Sequence, residues 1–135
     1  MTRREEREAL FALLYEMSFY DKEQSEDVLN TEIIERDFDG KYIIENYHGI
    51  INNLDELDEL IREKSNGWKL SRLSKVTLSI LRLSVYEMLF TDLHYTIAIN
   101  EAVELAKKYD YEKSPSFVNG ILNNIAEEKG LKEDK

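Results

Sequence analysis

Apolar residues recur at helical spacing along most of this 135-residue chain, and the pattern predicts an all-α fold. In residues 2–19, one face of a helix carries an apolar stripe with a second apolar edge beside it. The stripe consists of Leu10, Leu13, Leu14 and Met17, and the edge consists of Phe11, Tyr15 and Phe19. In residues 41–64 the apolar steps alternate between four and three, the spacing of a helical-bundle seam. That seam comprises Ile43, Tyr47, Ile50, Leu54, Leu57 and Ile61, and it predicts one long helix.

The segment 75–91 is apolar on nearly every side, which is typical of a helix contacted from several directions. Its apolar residues are Val76, Leu78, Ile80, Leu81, Leu83, Val85, Met88 and Leu89. We therefore expect this helix at the centre of the core. Further helices are predicted over about residues 25–38, 96–109 and 115–129, and a short turn anchored by Trp68 over 68–73. The prediction is about seven helices in a single domain of residues 1–135, in which 131–135 form a polar tail.

The residues at the predicted helix ends have known capping preferences. Thr96 is expected to cap the helix over residues 96–109, and Ser114 the last helix, with Pro115 at its first position. Gly130 is expected to end that helix, because glycine adopts the left-handed conformation common at helix C-termini.

Two charged pairs are expected from helical spacing. Arg82 and Glu87 lie on the apolar central helix, where charged groups are seldom buried unless they are partnered. Glu104 and Lys108 lie four residues apart and are expected to form an ordinary surface pair.

Composition and charge exclude several classes of protein. The chain has no Cys, so it has neither disulfides nor thiolate metal sites and suits a reducing cytosol. Its first twenty residues lack a signal-peptide pattern, and its longest nearly apolar run, residues 85–90, is too short to span a bilayer. These features predict a cytoplasmic protein. The formal net charge of −10 argues against a general nucleic-acid coat, so RNA binding would require local positive charge and help from a partner.

The sequence offers no catalytic constellation. His48 and His94 are the only histidines, and neither lies in a metal-binding or triad motif. The carboxylates in residues 55–59 interleave with the apolar seam and are typical of a solvated helix face. There is no glycine-rich phosphate loop. We therefore predict no enzyme activity, no cofactor and no metal.

Three arginines stand at the start of the first helix. Arg3 and Arg7 share one helix face, and Arg4 lies about 100° round from Arg3. A solvated helix start with side-chain pairs four residues apart explains them on residue types alone. However, cations at a helix N-terminus oppose the helix dipole, and three of them indicate an external anion.

A second candidate site lies at the start of the last helix, where Lys113, Phe117 and Asn119 follow one another. One interpretation is an ordinary capped helix with Phe117 in the core. The alternative is that Phe117 lies at the edge of the core stripe and stacks on an unpaired base. In that case Asn119 would bond base edges, and backbone N–H groups at the helix start would hold a phosphate.

Residues 96–120, TIAINEAVELAKKYDYEKSPSFVNG, and the upstream LRLSVYEML resemble the NusB family of RNA-binding antitermination proteins. The block AINEAVELAKKY followed at short range by FVNGIL carries the resemblance. It implies an all-helical fold of two packed three-helix halves sharing the central apolar helix. It also implies RNA contacts at the arginine-rich first helix and at the Lys113–Asn119 corner. Glu5 and Glu6 interrupt the arginine segment here, a departure that bears on the strength of RNA binding.

The resemblance also implies a protein partner, NusE, a small-subunit ribosomal protein. Tyr15 and Phe19 on the first helix, and Thr77 at the start of the central helix, would form the contact. Family members usually carry an acidic residue where this chain has Thr77, so this chain lacks that charge at the expected partner contact.

The function implied is transcription antitermination. The protein would bind single-stranded boxA-type RNA with NusE and tether it to elongating RNA polymerase, chiefly on rRNA operons. One alternative is a protein–protein adaptor without its own RNA affinity. Another is a relative of the NusB-like domain of RNA methyltransferases, although the short tail and the absence of a cofactor fingerprint favour a free-standing protein. A homodimer of the free protein is left open.

Overall fold

The computed structural model describes residues 1–36, 40–65 and 70–133, and these fold into seven α-helices. The helices are α1 (Arg3–Met17), α2 (Ser25–Arg36), α3 (Lys41–Asn52), α4 (Leu54–Lys64), α5 (Lys75–Phe90), α6 (Tyr95–Tyr109) and α7 (Ser114–Glu128). The chain divides into two compact units, residues 1–53 and residues 54–135. The all-α prediction is confirmed.

In the first unit, α1 packs against α2 and α3 through its predicted apolar stripe. The helix starts at a capping box: the Thr2 hydroxyl accepts the Glu5 N–H at 3.1 Å, and the Glu5 carboxylate accepts the Thr2 N–H at 2.7 Å. The hydrogen bond from the Thr2 backbone holds the pKa of Glu5 below its usual value. The Glu5 carboxylate is thereby engaged in capping the start of the helix.

The single long helix predicted over residues 41–64 is wrong, because the structure contains α3 and α4 separated at Asn53. The Asn53 side chain donates to the Gly49 carbonyl at 2.8 Å, and its backbone leaves the helical region at φ −114°. Such side-chain bonds to the preceding turn compete with helix continuation. All six predicted seam residues are nevertheless buried, so the apolar spacing continues across the break.

In the second unit, α5 packs against α4, α6 and α7. The side chains of Ile80, Leu81, Leu83, Val85 and Met88 are buried, which confirms α5 as the core helix of this unit. Polar groups on α5 are satisfied locally, as where the buried Ser84 hydroxyl donates to the Ala98 carbonyl at 3.2 Å.

Two of the predicted caps are wrong. The α6 helix begins at Tyr95, and the His94 ring nitrogen, rather than Thr96, accepts the N–H that needs a cap. Ser114 is the first residue of α7 rather than its N-cap, and its hydroxyl donates to Asp110 at 2.5 Å. Gly130 follows α7 with φ 74°, as its expected role in ending the helix requires.

Both charged helices have ion pairs that the sequence did not predict. Arg82 donates two hydrogen bonds of 2.8 Å to the Asp58 carboxylate, joining α5 to α4. On α6, Glu104 pairs with Lys107 at 3.3 Å. The predicted Trp68 anchor and the predicted end of the second helix at Phe38 lie outside the described residues.

We expect Leu81→Ala to lower the free energy of unfolding by about 2–5 kcal/mol, since the Leu81 side chain is fully buried on α5. Ile97→Ala is the matched control, because Ile97 is 49% exposed and should change stability by less than about 0.5 kcal/mol. Urea unfolding followed by circular dichroism measures both. Equal small changes in the two variants would mean that α5 is not the core helix.

The Tyr47 hydroxyl is buried in the first unit and donates to the Ser25 carbonyl at 2.8 Å, so we expect Tyr47→Phe to cost about 1 kcal/mol. Burial raises the pKa of Tyr47 above its usual value of 10.0. The unfolded chain therefore ionises first as pH rises, and the stabilisation is present below about pH 10 and lost above it. Urea unfolding at neutral and alkaline pH should show the deficit of Tyr47→Phe shrinking above that pH. A deficit that grows there would contradict the assignment.

Candidate nucleic-acid interface

A cavity of about 220 Å³ lies in the second unit beside the start of α5. Its lining residues are Arg72, Leu73, Ser74, Thr77, Tyr111, Lys113 and Phe117. They come from the turn before α5, the first turn of α5, the α6–α7 loop and the first turn of α7. We call this cavity the aromatic pocket. It is smaller than the roughly 300–1,000 Å³ typical of pockets for drug-sized ligands, and suits a single flat ring.

Two cations and two aromatic rings surround the aromatic pocket. Lys113 and Phe117 were predicted from the sequence, and the structure brings them together here. Sequence reasoning missed Arg72 and Tyr111. Tyr111 is an exposed aromatic in a polar loop, a signal that the sequence contains, whereas nothing local marks Arg72. Aromatic faces stack on bases and cations bind phosphates, so this combination suits a nucleotide in a single strand.

Phe117 is half-buried, which separates it from the core of its own helix. The α7 residues Val118, Ile121, Leu122 and Ile125 are all buried and form the stripe without it. Asn119 is exposed and lies outside the lining of the aromatic pocket. Its carbonyl oxygen accepts a hydrogen bond from the Asn123 side chain at 2.9 Å.

A cluster of hydroxyl and carboxylate groups holds the loop that carries Tyr111 and Lys113. One Asp110 carboxylate oxygen accepts hydrogen bonds from the Thr77 and Ser114 hydroxyls, and the other accepts the Tyr111 N–H at 2.9 Å. The Ser114 N–H donates to the Tyr111 carbonyl at 3.0 Å, and Pro115 has no N–H. Neither of these two residues therefore offers a backbone N–H to a phosphate, and the cations that line this pocket are Arg72 and Lys113.

The N-terminal arginines belong to the first unit. Arg3 is exposed, stacks over the Tyr42 ring at 4.2 Å from its centroid, and lies 3.3 Å from the Glu6 carboxylate. Arg4 is also exposed. Arg7 is only 6% exposed, and its guanidinium lies 5.9 Å from the Tyr42 ring centroid. This burial differs from the exposed position that the expected phosphate contact requires. Arg3 and Arg4 are therefore the arginines of this segment that solvent reaches.

An aromatic surface marks the end of α1. Tyr15 is 37% exposed and Phe19 is 57% exposed, with their rings edge to face at 5.1 Å between centroids. Tyr20, which sequence reasoning missed, follows Phe19 in the chain and is also exposed. Thr77, the third residue expected to touch a partner, is only 2% exposed, so its hydroxyl serves the Asp110 cluster instead.

Metal sites and membrane spans are absent from residues 1–36, 40–65 and 70–133. That part of the chain contains no group of three metal-ligating side chains, and none of its helices is long and apolar enough to cross a membrane. His48 bonds to Glu26 at 2.7 Å, and His94 caps α6, so both rings have local roles.

Comparison with known proteins gives concordant matches. A model described as the NusB family matches residues 4–127. The transcription antitermination protein NusB of Acetivibrio thermocellus is 44% identical over 138 residues, which cover 99% of this chain and 94% of that protein. T. maritima NusB matches with TM-score 0.83 and 38% identity over 98% of each chain. A chain in the crystal structure of antitermination factors NusB and NusE in complex with dsRNA matches with TM-score 0.79 and 25% identity. The match covers 95% of this chain and 99% of that chain.

Proposed function

The chain belongs to the NusB family, and we propose that it is a transcription antitermination factor that binds boxA-type RNA together with NusE. The bound RNA is thereby tethered to elongating RNA polymerase, chiefly on rRNA operons. The function is binding in the cytoplasm rather than chemistry, in keeping with the name that the relatives carry. The solved assembly of NusB, NusE and dsRNA supports both partners, because one of its chains resembles this one along nearly its whole length.

The aromatic pocket is the observation that carries the proposal of RNA binding. Phe117 presents a half-buried ring beside Tyr111, and Arg72 and Lys113 flank them. An unpaired base enters such a pocket edge-first and stacks, while the cations bind the neighbouring phosphates. A base inside a duplex cannot do this without leaving its stack, so we propose that the pocket takes single-stranded RNA.

The N-terminal arginines supply the second RNA contact in this proposal. Arg3 and Arg4 bind phosphates, and the buried Arg7 holds the helix start against Tyr42. Together with Arg72 and Lys113 this gives about three or four neutralised phosphates and a log–log salt slope of about −2 to −3. So few cations on a chain of net charge −10 give weak binding alone. A basic ribosomal partner is therefore needed to raise the affinity.

We assign partner binding to the aromatic surface formed by Tyr15, Phe19 and Tyr20. Exposed aromatic side chains that already pack against one another are typical of interaction hot spots. Thr77 stays in the proposal as a residue that shapes the start of α5, since its buried side chain offers no surface to a partner.

The main alternative is a protein–protein adaptor without its own RNA affinity. The pairing of Arg3 with Glu6 and the burial of Arg7 favour it, because both reduce the positive charge available to phosphates. RNA titration separates the two functions.

For the RNA site, we expect Phe117→Ala to weaken binding of labelled single-stranded boxA-type RNA by about 1–3 kcal/mol without changing the salt slope, because stacking releases no counterions. Arg4→Ala should flatten the slope by less than about one unit and weaken all sequences alike. Fluorescence anisotropy at several salt concentrations measures both quantities. Phe19→Ala is the matched control, since it removes a phenyl ring outside the aromatic pocket.

Circular dichroism must show that Phe117→Ala retains its helices. If folded Phe117→Ala and Arg4→Ala both bind like the wild type, RNA does not occupy this site. If the wild-type protein binds NusE but the mixture binds no RNA, the result favours the adaptor function. A double-stranded RNA of the same sequence should compete poorly for the pocket.

For the partner site, we expect Phe19→Ala to weaken binding to NusE by at least about 1 kcal/mol, because a large exposed ring is lost from the aromatic surface. Binding of RNA to this protein alone should not change. Calorimetric titration with NusE measures the first effect, and RNA titration of this protein alone measures the second. Tyr109→Ala, which removes an exposed ring from α6, is the control. Unchanged NusE affinity in Phe19→Ala would place the partner elsewhere.

A further inference from the structure

We infer that Thr77, Asp110 and Ser114 position the RNA-binding side chains of the aromatic pocket and thereby set RNA affinity. This inference rests on the proposed function, because it names the residues that hold the proposed site in its binding shape. We call the three residues the hydroxyl–carboxylate cluster.

The hydroxyl–carboxylate cluster joins three elements at one carboxylate. Thr77 lies in the first turn of α5, Asp110 directly follows α6, and Ser114 begins α7. The Ser114 hydroxyl donates to Asp110 at 2.5 Å, and the Thr77 hydroxyl donates to the same carboxylate oxygen. The two hydroxyl oxygens lie 3.4 Å apart. Thr77 and Ser114 are both buried and Asp110 is half-buried, so water reaches these charge-assisted bonds only in part.

Along the chain, residues of the hydroxyl–carboxylate cluster lie next to residues of the aromatic pocket. Tyr111 and Lys113 stand between Asp110 and Ser114, and Phe117 follows one turn later. Thr77 itself lines the pocket from α5. A change in how Asp110 meets Thr77 therefore moves the segment that carries both rings and one of the cations.

The start of α7 depends on this link. Among the described residues, no side chain caps the helix at Lys113, and the hydroxyl of Ser114 is directed to Asp110. On the α5 side, the Ser74 hydroxyl accepts the Thr77 N–H at 3.0 Å, which fixes Thr77 at a regular helix start. The bond from Thr77 to Asp110 thus anchors the loop to a rigid helix.

Because Asp110 is negatively charged, a positioning role and a purely electrostatic role predict opposite changes in RNA affinity when it is replaced. A carboxylate near a phosphate-binding pocket repels RNA, so electrostatics alone predicts tighter binding after Asp110→Ala. Positioning predicts weaker binding, because the apparent dissociation constant rises as the fraction of molecules in the binding shape falls. We expect a loss of roughly tenfold for Asp110→Ala if that fraction falls to about a tenth.

The test compares four variants with the wild-type protein. Thr77→Val removes the hydroxyl at constant shape and charge and should weaken single-stranded boxA-type RNA binding several-fold, whereas Thr77→Ser keeps the hydroxyl and should restore it. Asp110→Ala should weaken binding as stated above, with an unchanged salt slope. Asp58→Ala is the matched control, because it breaks the part-buried pair with Arg82 in the same unit and neither residue lines the pocket.

Two further readouts separate positioning from general destabilisation. Amide hydrogen exchange at Ser114 and Phe117, whose N–H groups bond to Tyr111 and Lys113, should accelerate in Asp110→Ala and Thr77→Val but not in Asp58→Ala. In a Phe117→Ala background, Thr77→Val should weaken RNA binding by less than about twofold, because the ring that it positions is already gone.

The outcomes are distinct. If Phe117→Ala weakens RNA binding while Asp110→Ala and Thr77→Val bind as tightly as the wild type or tighter, this inference is wrong and the proposed function stands. If the wild type binds no RNA even with NusE, the proposed function fails. In that case, amide hydrogen exchange at Ser114 and Phe117 still tests whether the cluster positions the loop. Unchanged exchange in Asp110→Ala and Thr77→Val would overturn the positioning role. If Asp110→Ala does not fold, the comparison of Thr77→Val with Thr77→Ser decides whether the cluster positions the pocket.

Discussion

The burial of α5 among α4, α6 and α7 is the constraint on which the second unit depends. A helix with apolar residues on nearly all sides has to be covered from several directions, and the three neighbours supply that cover. Its charged and polar side chains then need partners from those same neighbours. Arg82 accordingly bonds to Asp58 of α4, and Ser84 bonds to the Ala98 carbonyl of α6. Packing α6 and α7 on α5 brings the loop between them to the start of α5, where Asp110 meets Thr77.

The candidate RNA site follows from this arrangement. The aromatic pocket lies where the α6–α7 loop meets the start of α5, so its walls are helix ends held by a buried core. The loop itself carries Tyr111 and Lys113, and the turn before α5 contributes Arg72. A loop presented on rigid helices combines reach with a fixed shape, which is why binding residues concentrate at such places.

The sequence predicted those features that periodicity or local chemistry encodes, and it failed where distant residues decide. The buried stripes of α1, α5 and α7 follow from helical spacing alone. The sequence did not predict the helix break at Asn53, because the apolar seam continues in register across it and no change of period marks the break. The partner of Arg82 lies 24 residues away, and nothing local distinguishes Asp58 from the neighbouring carboxylates. At the candidate site, Phe117 could be identified from the sequence because it lies outside the apolar stripe of α7. Arg72 could not, because only the folded chain brings it to the pocket.

The net charge of −10 decides how such a protein can bind RNA. A basic protein gains affinity from counterion release over a broad surface, and the exact position of each cation matters little. In an acidic chain with few accessible cations, the position of each cation does affect the affinity. Each stacking ring and each cation must therefore already be in its binding position in the free protein. Ordering the loop after binding would subtract from an affinity that is already small. In the proposed role, the part-buried bonds from Thr77 and Ser114 to Asp110 order the loop beforehand, and local preorganisation takes the part that positive charge plays in other RNA-binding proteins.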